Sequence, residues 1–203
     1  MKGQLTYLTA ALCLLVETGS SAPDRLDILK QQFARADCVS FRFLSIVESG
    51  IFDRTDTIVA EATISADGQY VINLGRDQYL YDLEYLYSFS CDNNQVTIEK
   101  GNGMEVPEEL SFVKRLDDFY RSFVLKSDLR YRLLKLSAQE NNIPDSLELS
   151  LRSDSLVLDR IEYYDINEEL NLIIFLEQTV HEICPDTPFV PDYPDSVEVI
   201  RLF

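Results

Sequence analysis

Hydrophobic residues recur along this chain with two different periods, and the change from one to the other comes early. From Pro23 to Ala36, Leu26, Leu29 and Phe33 return at spacings of three and four behind Asp24, a capping residue, so the spacing predicts a helix with one apolar face. After Asp37 the period becomes two. Val39, Phe41 and Phe43 alternate with Ser40, Arg42 and Leu44, and Ile58, Ala60, Ala62 and Ile64 alternate with Val59, Glu61, Thr63 and Ser65. Asp67-Gly68 is a strong hairpin signal leading into Tyr70, Ile72 and Leu74. Gly75-Arg76-Asp77 turns the chain into Tyr79 and Tyr81, and further strands are predicted at Leu86 to Ser90 and, past Asp92-Asn93-Asn94, at Val96 to Ile98. Connections this short leave no room for crossover helices, so the pairing is expected to be antiparallel.

A second helical section is predicted from Pro107 to Val124, where Leu110, Phe112, Leu116, Phe119, Tyr120 and Phe123 crowd one side. Strands resume at Tyr131 to Leu136, Leu147 to Leu151, Leu156 to Tyr163, Leu172 to Val180 and the terminal run from Val197, with turns at Asp145-Ser146, Ser153-Asp154 and Asp165 to Glu169. About ten strands and two helical sections give an α+β antiparallel sheet with helices on one face. Several strands are apolar on both faces at once, as at Phe41 to Leu44 and Leu133-Leu134. Two explanations fit: a sandwich or helix-covered sheet, or a strongly curved sheet whose inside takes an apolar ligand.

The 203 residues, 46% of them hydrophobic, fit one domain with a sizeable core. A net charge of −17 argues against nucleic acid or an anionic membrane surface as a partner. Residues 1–22 read as an export signal: Lys2, an apolar stretch from Leu5 to Val16, then Gly19, Ser20, Ser21 and Ala22 as a cleavage region. Cys13 lies inside that stretch behind Leu12, where a lipoprotein signal wants a small residue. Residues 23–203 are then the exported domain, carrying Cys38, Cys91 and Cys184; one pair is expected to bridge in an oxidising compartment, and spacing alone does not choose which.

Catalytic constellations are thin. His181 is the single histidine and no G-x-S-x-G accompanies it, which disfavours a hydrolase triad. Asp117-Asp118 and Glu168-Glu169 could be read as acid and base of a glycosidase, but 35 acidic residues produce such pairs by chance. Asp165, Asn167 and Glu169 lack the glycine and remaining ligands of a calcium loop, so a turn is expected there. No enzymatic activity, cofactor or metal is expected.

Taken in order, the helix, "VSFRFLSIVESGIFDRTDTIVAEATISADGQYVINLG", the Tyr-rich "DQYLYDLEYLYSFSCDNNQVTI", "PDSLELSL", "LDRIEYYDINEELNLIIFLEQ" and "FVPDYPDSVEVIRLF" resemble the periplasmic outer-membrane lipoprotein carrier (LolA-like) family over nearly the whole exported chain. The units that carry the likeness are L-x-x-I-x-x-x-D at Leu158, Ile161 and Asp165, and the closing F-x-P-x-x-P-x-S-V-E-V-I from Phe189. The resemblance implies an unclosed half-barrel sheet lidded by helices on its concave face. It also implies a function: a monomeric periplasmic carrier that binds the acyl chains of lipoproteins and moves them between an inner-membrane lipoprotein-releasing transporter and an outer-membrane acceptor. Burying each methylene is worth about 0.8 kcal/mol, so a carrier needs an apolar wall and no catalytic group. The expected wall is Phe41, Phe43, Ile58, Ile64, Tyr70, Ile72, Tyr79, Tyr81, Tyr87 and Phe89; the expected lid is Leu26, Leu29, Phe33, Phe112, Leu116 and Phe119. Each of these also fits ordinary core packing. The family's lid-pinning arginine has no match in Ala66 to Val71, and there is no Trp, so that lid device is not carried over. A lipid sensor or adaptor on the same half-barrel is the alternative. The terminal run is expected to add the last strand and help close the wall.

Overall fold

The computed structural model describes residues 24–50, 53–101, 120–126, 129–136, 144–185 and 189–203. Among them are one helix, α1 (Arg25–Arg35), and twelve strands: β1 (Cys38–Ser49), β2 (Arg54–Ser65), β3 (Tyr70–Leu74), β4 (Asp77–Tyr81), β5 (Tyr85–Ser90), β6 (Gln95–Lys100), β7 (Tyr120–Lys126), β8 (Arg130–Lys135), β9 (Ser146–Leu151), β10 (Leu158–Tyr164), β11 (Leu170–His181) and β12 (Glu198–Leu202). All twelve belong to one sheet in the order β12-β6-β5-β4-β3-β2-β1-β11-β10-β9-β8-β7. The sheet is unclosed and strongly curved, the half-barrel that the resemblance implies.

Two meanders, β1 to β6 and β7 to β11, join where β1 pairs with β11. Short polar turns build them: at the β2–β3 hairpin, Gly68 takes φ +103°, a conformation that glycine reaches without steric cost, and its N–H donates to the Ser65 carbonyl at 3.3 Å. Curvature comes from bulges. The β1–β11 register slips between Arg42 and Phe43, leaving Leu176 unpaired, and the β9–β10 register slips at Asp159. Arg152 sits between them: its guanidinium donates to the carbonyls of Phe175 and, at 3.2 Å, Leu176, and lies 3.8 Å from the Asp159 carboxylate.

Residues directly opposite in the ladders share a face, so one inner face can be followed strand by strand. It carries Tyr79 and Tyr81 (β4), Tyr70 and Ile72 (β3), Ala60, Ala62 and Ile64 (β2), Val39, Phe41 and Phe43 (β1), Phe175 and Ile173 (β11), Ile161 (β10), Leu147 and Leu149 (β9), and Tyr131 and Leu133 (β8). These residues and Leu26, Leu29 and Phe33 of α1 form one core. α1 lies across the strands, from Tyr131 of β8 at its N-terminus to Phe41 of β1, where the Phe33 and Phe41 rings meet edge to face at 5.9 Å. Eleven residues of helix span ~16 Å, close to the ~19 Å of four interstrand spacings.

Two expectations are corrected. Tyr120 to Val124 is strand, not the end of a helix: Tyr120 pairs with Lys135 and Phe123 with Arg132. Aromatic residues at 119, 120 and 123 satisfy both periods, and backbone pairing with β8 decides between them. The terminal run is a strand, but it pairs in parallel with β6, lies at the sheet's end and is largely exposed, so it seals nothing. The parallel direction follows from its approach. Residues 182–185 are tied to β1 by the Cys38–Cys184 disulfide, and residues 189–197 run to the β5–β6 turn, where Asn94 Nδ2 donates to the Ser196 carbonyl at 2.9 Å, with Phe203 against the Tyr85 ring at 5.2 Å. Cys91 is a free thiol, and the bridge fits an oxidising compartment.

Candidate functional site

Alternation places eight of the ten expected wall residues on the inner face. Phe41, Phe43, Ile64, Tyr70, Ile72 and Tyr81 are buried in the core and Tyr79 packs against it. Ile58 lies on the same face, opposite Ser45, but near the open end of β2, where it is 43% exposed. Tyr87 and Phe89 are on the other face. The β4–β5 hairpin pairs Tyr81 with Leu86 and Leu80 with Tyr87, so the odd residues of β5 face outward beside Leu80, Val96 and Ile98. That pairing is held by the turn: Asp82 Oδ1 accepts from the N–H groups of Glu84 at 2.9 Å and Tyr85 at 2.8 Å, with Leu83 at φ +83°. A slip of one residue exchanges every side chain between faces, which is what a reading of apolar residues alone could not decide.

The wall is packed rather than open. Phe41 and Phe175 approach edge to face at 5.4 Å, while Phe43 and Phe175 at 6.0 Å and Tyr70 and Tyr81 at 5.6 Å are tilted pairs. Gly101 follows β6 so closely over the Tyr81 ring that an added Cβ would collide with it, so the backbone itself covers that end of the wall. A cleft of about 360 Å³ lies between β8, β9 and β10, lined by Leu129, Leu149 and Leu151 together with Arg130, Glu148, Ser150, Asp159, Arg160 and Glu162.

Of the expected lid, Leu26, Leu29 and Phe33 are buried beneath α1, whereas Phe112, Leu116 and Phe119 lie outside the described residues. How α1 is held was not legible in the sequence. Tyr131, buried on β8, donates its hydroxyl to the Asp24 carboxylate, and the same hydroxyl oxygen accepts from the Leu26 N–H at 3.3 Å. Asp24 Oδ1 also accepts from Leu26 N–H at 3.2 Å as the helix cap. One phenol thus fastens the first turn of the cover to the wall, across 107 residues of sequence. The sequence marked Asp24 as a cap and Tyr131 as the start of a strand, with no signal joining them.

Of the other polar residues singled out in the sequence, His181 and Asp165 have structural partners, and Asp117 and Asp118 lie outside the described residues. His181 Nε2 and Ser40 Oγ are 3.0 Å apart, with Thr63 Oγ1 2.9 Å beyond. Asp165 Oδ1 accepts from the N–H groups of Asn167 at 2.8 Å and Glu169 at 3.0 Å, closing the β10–β11 turn.

No family model matches the chain, and no curated protein does. Solved structures do. A protein from Thermus thermophilus, described as an uncharacterized conserved protein, superposes with a TM-score of 0.53 at 10% identity over 88% of this chain and 97% of that one. What is shared is the fold. A DUF1329 family protein from Desulfovibrio piger matches with a TM-score of 0.48 at 12% identity, covering 81% of this chain and 94% of its own. A LolA superfamily protein from Nitrosomonas europaea matches with a TM-score of 0.44 at 10% identity, covering 84% and 99%.

Proposed function

We propose that this protein is an exported periplasmic carrier that takes the acyl chains of lipoproteins against its inner wall and moves them from the inner to the outer membrane, acting by binding and not by catalysis. The observation that supports this reading most is the pairing of a continuous apolar wall, running from β4 through β1 and β11 to β8, with a short helix fastened over part of it by the Tyr131 phenol. A wall so extended gains about 25 cal/mol for every Å² of acyl surface it covers, without directional contacts. Since the wall residues are packed against α1, cargo enters by displacing the helix; the rings and leucines of the core then meet acyl chains in place of α1. An inner-membrane releasing transporter and an outer-membrane acceptor are the partners this cycle requires.

Displacement makes a prediction that simple core packing does not. Apparent affinity for cargo scales with the open fraction, and losing the Tyr131–Asp24 bond costs the closed state about 1.5 kcal/mol. Tyr131→Phe should therefore tighten binding of a fluorescent fatty acid about tenfold while lowering the melting temperature. Ile58→Glu, at the exposed rim of the wall, should weaken it without loss of stability. Absence of saturable fatty-acid binding in the unaltered protein would end the acyl-binding reading. Tight binding without release of an acylated lipoprotein from spheroplasts would replace the carrier with a lipid sensor on the same wall.

A further inference from the structure

The charge of the whole chain hides a local exception at the end of the sheet. Residues 120–132 hold four cationic residues, Arg121, Lys126, Arg130 and Arg132, against one acidic residue, Asp128, in a chain whose net charge is −17. Arg130 and Arg132 share one carboxylate, Glu148, at 3.1 and 2.6 Å, and Arg121 has no ion pair among the described residues. Interleaved with these cations are exposed apolar side chains. Phe123 stands opposite Arg132 on the outer face, with Leu134 as its diagonal neighbour beside Arg121; Val124 stands opposite Tyr131 on the inner face, and Leu125 occupies the bulge between Val124 and Lys126. Phe123 is 46% and Val124 54% exposed, and Leu125 and Leu134 are exposed as well.

Exposure on both faces decides what kind of partner fits. A protein docking flat on a sheet covers one face and leaves the other wet, so it would bury Phe123 or Val124 but not both. An interfacial lipid layer receives the edge strand of a sheet, β7, and wets both of its faces, while β8 stays paired to β9 behind it. Aromatic and aliphatic residues then sit at the headgroup boundary with arginines beside them on the phosphates. We infer that the sheet edge at β7, with Phe123, Val124 and Leu125 beside Arg121, Arg130 and Arg132, is a docking element for an anionic phospholipid surface. Net repulsion of the rest of the chain is damped beyond a Debye length of about 8 Å at physiological salt, so a basic end can touch such a surface while the acidic body stays in solution. Attachment is correspondingly weak and reversible. The inference stands independently of acyl binding by the inner wall.

The chain contains no tryptophan, so one introduced at a time reports its own surroundings. With the processed, oxidised protein and vesicles of phosphatidylglycerol mixed with phosphatidylcholine, emission of Phe123→Trp should shift to the blue. That of Val59→Trp, at an exposed site on β2, should not. Adding Arg121→Glu to Phe123→Trp should weaken vesicle partitioning about tenfold, and raised salt should weaken it further. Melting of each variant checks that it remains folded. No shift at Phe123→Trp, an equal shift at Val59→Trp, or equal binding to pure phosphatidylcholine would overturn the inference. Fatty-acid binding measured on the same variants separates this outcome from failure of the carrier reading, since none of these positions lies on the buried wall.

Discussion

The Tyr87 hydroxyl donates to Asp82 Oδ2 at 3.1 Å, so ionising that phenol would set a second negative charge against the first. Burial, then the Asp82 charge and its hydrogen bond, push the Tyr87 pKa up from 10.0 to about 12. Because the folded value is raised, the fold favours the neutral phenol: that contribution is complete below about pH 10 and is lost as pH rises through about 12. In an ultraviolet phenolate titration Tyr87→Phe should remove a step near pH 12, and the difference in stability between the two proteins should shrink across pH 10 to 12. Glu148 behaves oppositely. A hydrogen bond from Arg132 holds its carboxyl below the usual range, so its contribution is present at neutral pH and disappears as pH falls through the lowered folded value. Single residues were read from the sequence with uneven success for a physical reason. Asp24 as a cap and Asp165 as a turn former act on N–H groups two to four residues away, a range that sequence displays. Tyr131 acts on Asp24 across the sheet, and no local pattern encodes that meeting.

Among the elements, the paired bulges around Arg152 show how bending is paid for in hydrogen bonds. The Phe175 and Leu176 carbonyls stand at the β11 bulge, and Arg152 supplies donors to both. Arg152→Ala should lower stability by about 1–3 kcal/mol, the cost of leaving such carbonyls without a charged donor, measurable by urea unfolding. Arg152→Lys should recover only part of it, since a lysine lacks the planar fork. A loss below about 0.5 kcal/mol would show that water replaces the guanidinium and that the bulges do not depend on it. Element type was legible wherever alternation ran long, as in β1 and β2, both 12 residues. It failed at β7, where aromatic spacing satisfied helix and strand alike. Facing failed at β5, where the Asp82 turn sets the register that sends Tyr87 and Phe89 outward.

For the molecule as a whole, the disulfide joins Cys38 on β1 to Cys184, 146 residues later, and so encloses most of the sheet. Loop-closure entropy for a ring of that size is worth ~5 kcal/mol, and Cys184→Ser should lower unfolding stability by a large part of it. Reductant should bring the unaltered protein to the same level; an unchanged urea midpoint in both cases would show that the unfolded chain gains nothing from release. The sequence by itself determined the elements whose hydrophobic period is strong, the turns made by Asp and Gly, the helix with its buried stripe, and an antiparallel sheet with apolar residues enough for two sides. Those are consequences of local backbone geometry and side-chain chemistry. Tertiary structure alone decided which cysteines bridge, which face Tyr87 and Phe89 take, that the last strand pairs in parallel at an open end, and that Tyr131 fastens the helix. Each of these depends on strand register or on a crossing between distant segments, and neither is written in the spacing of neighbouring residues.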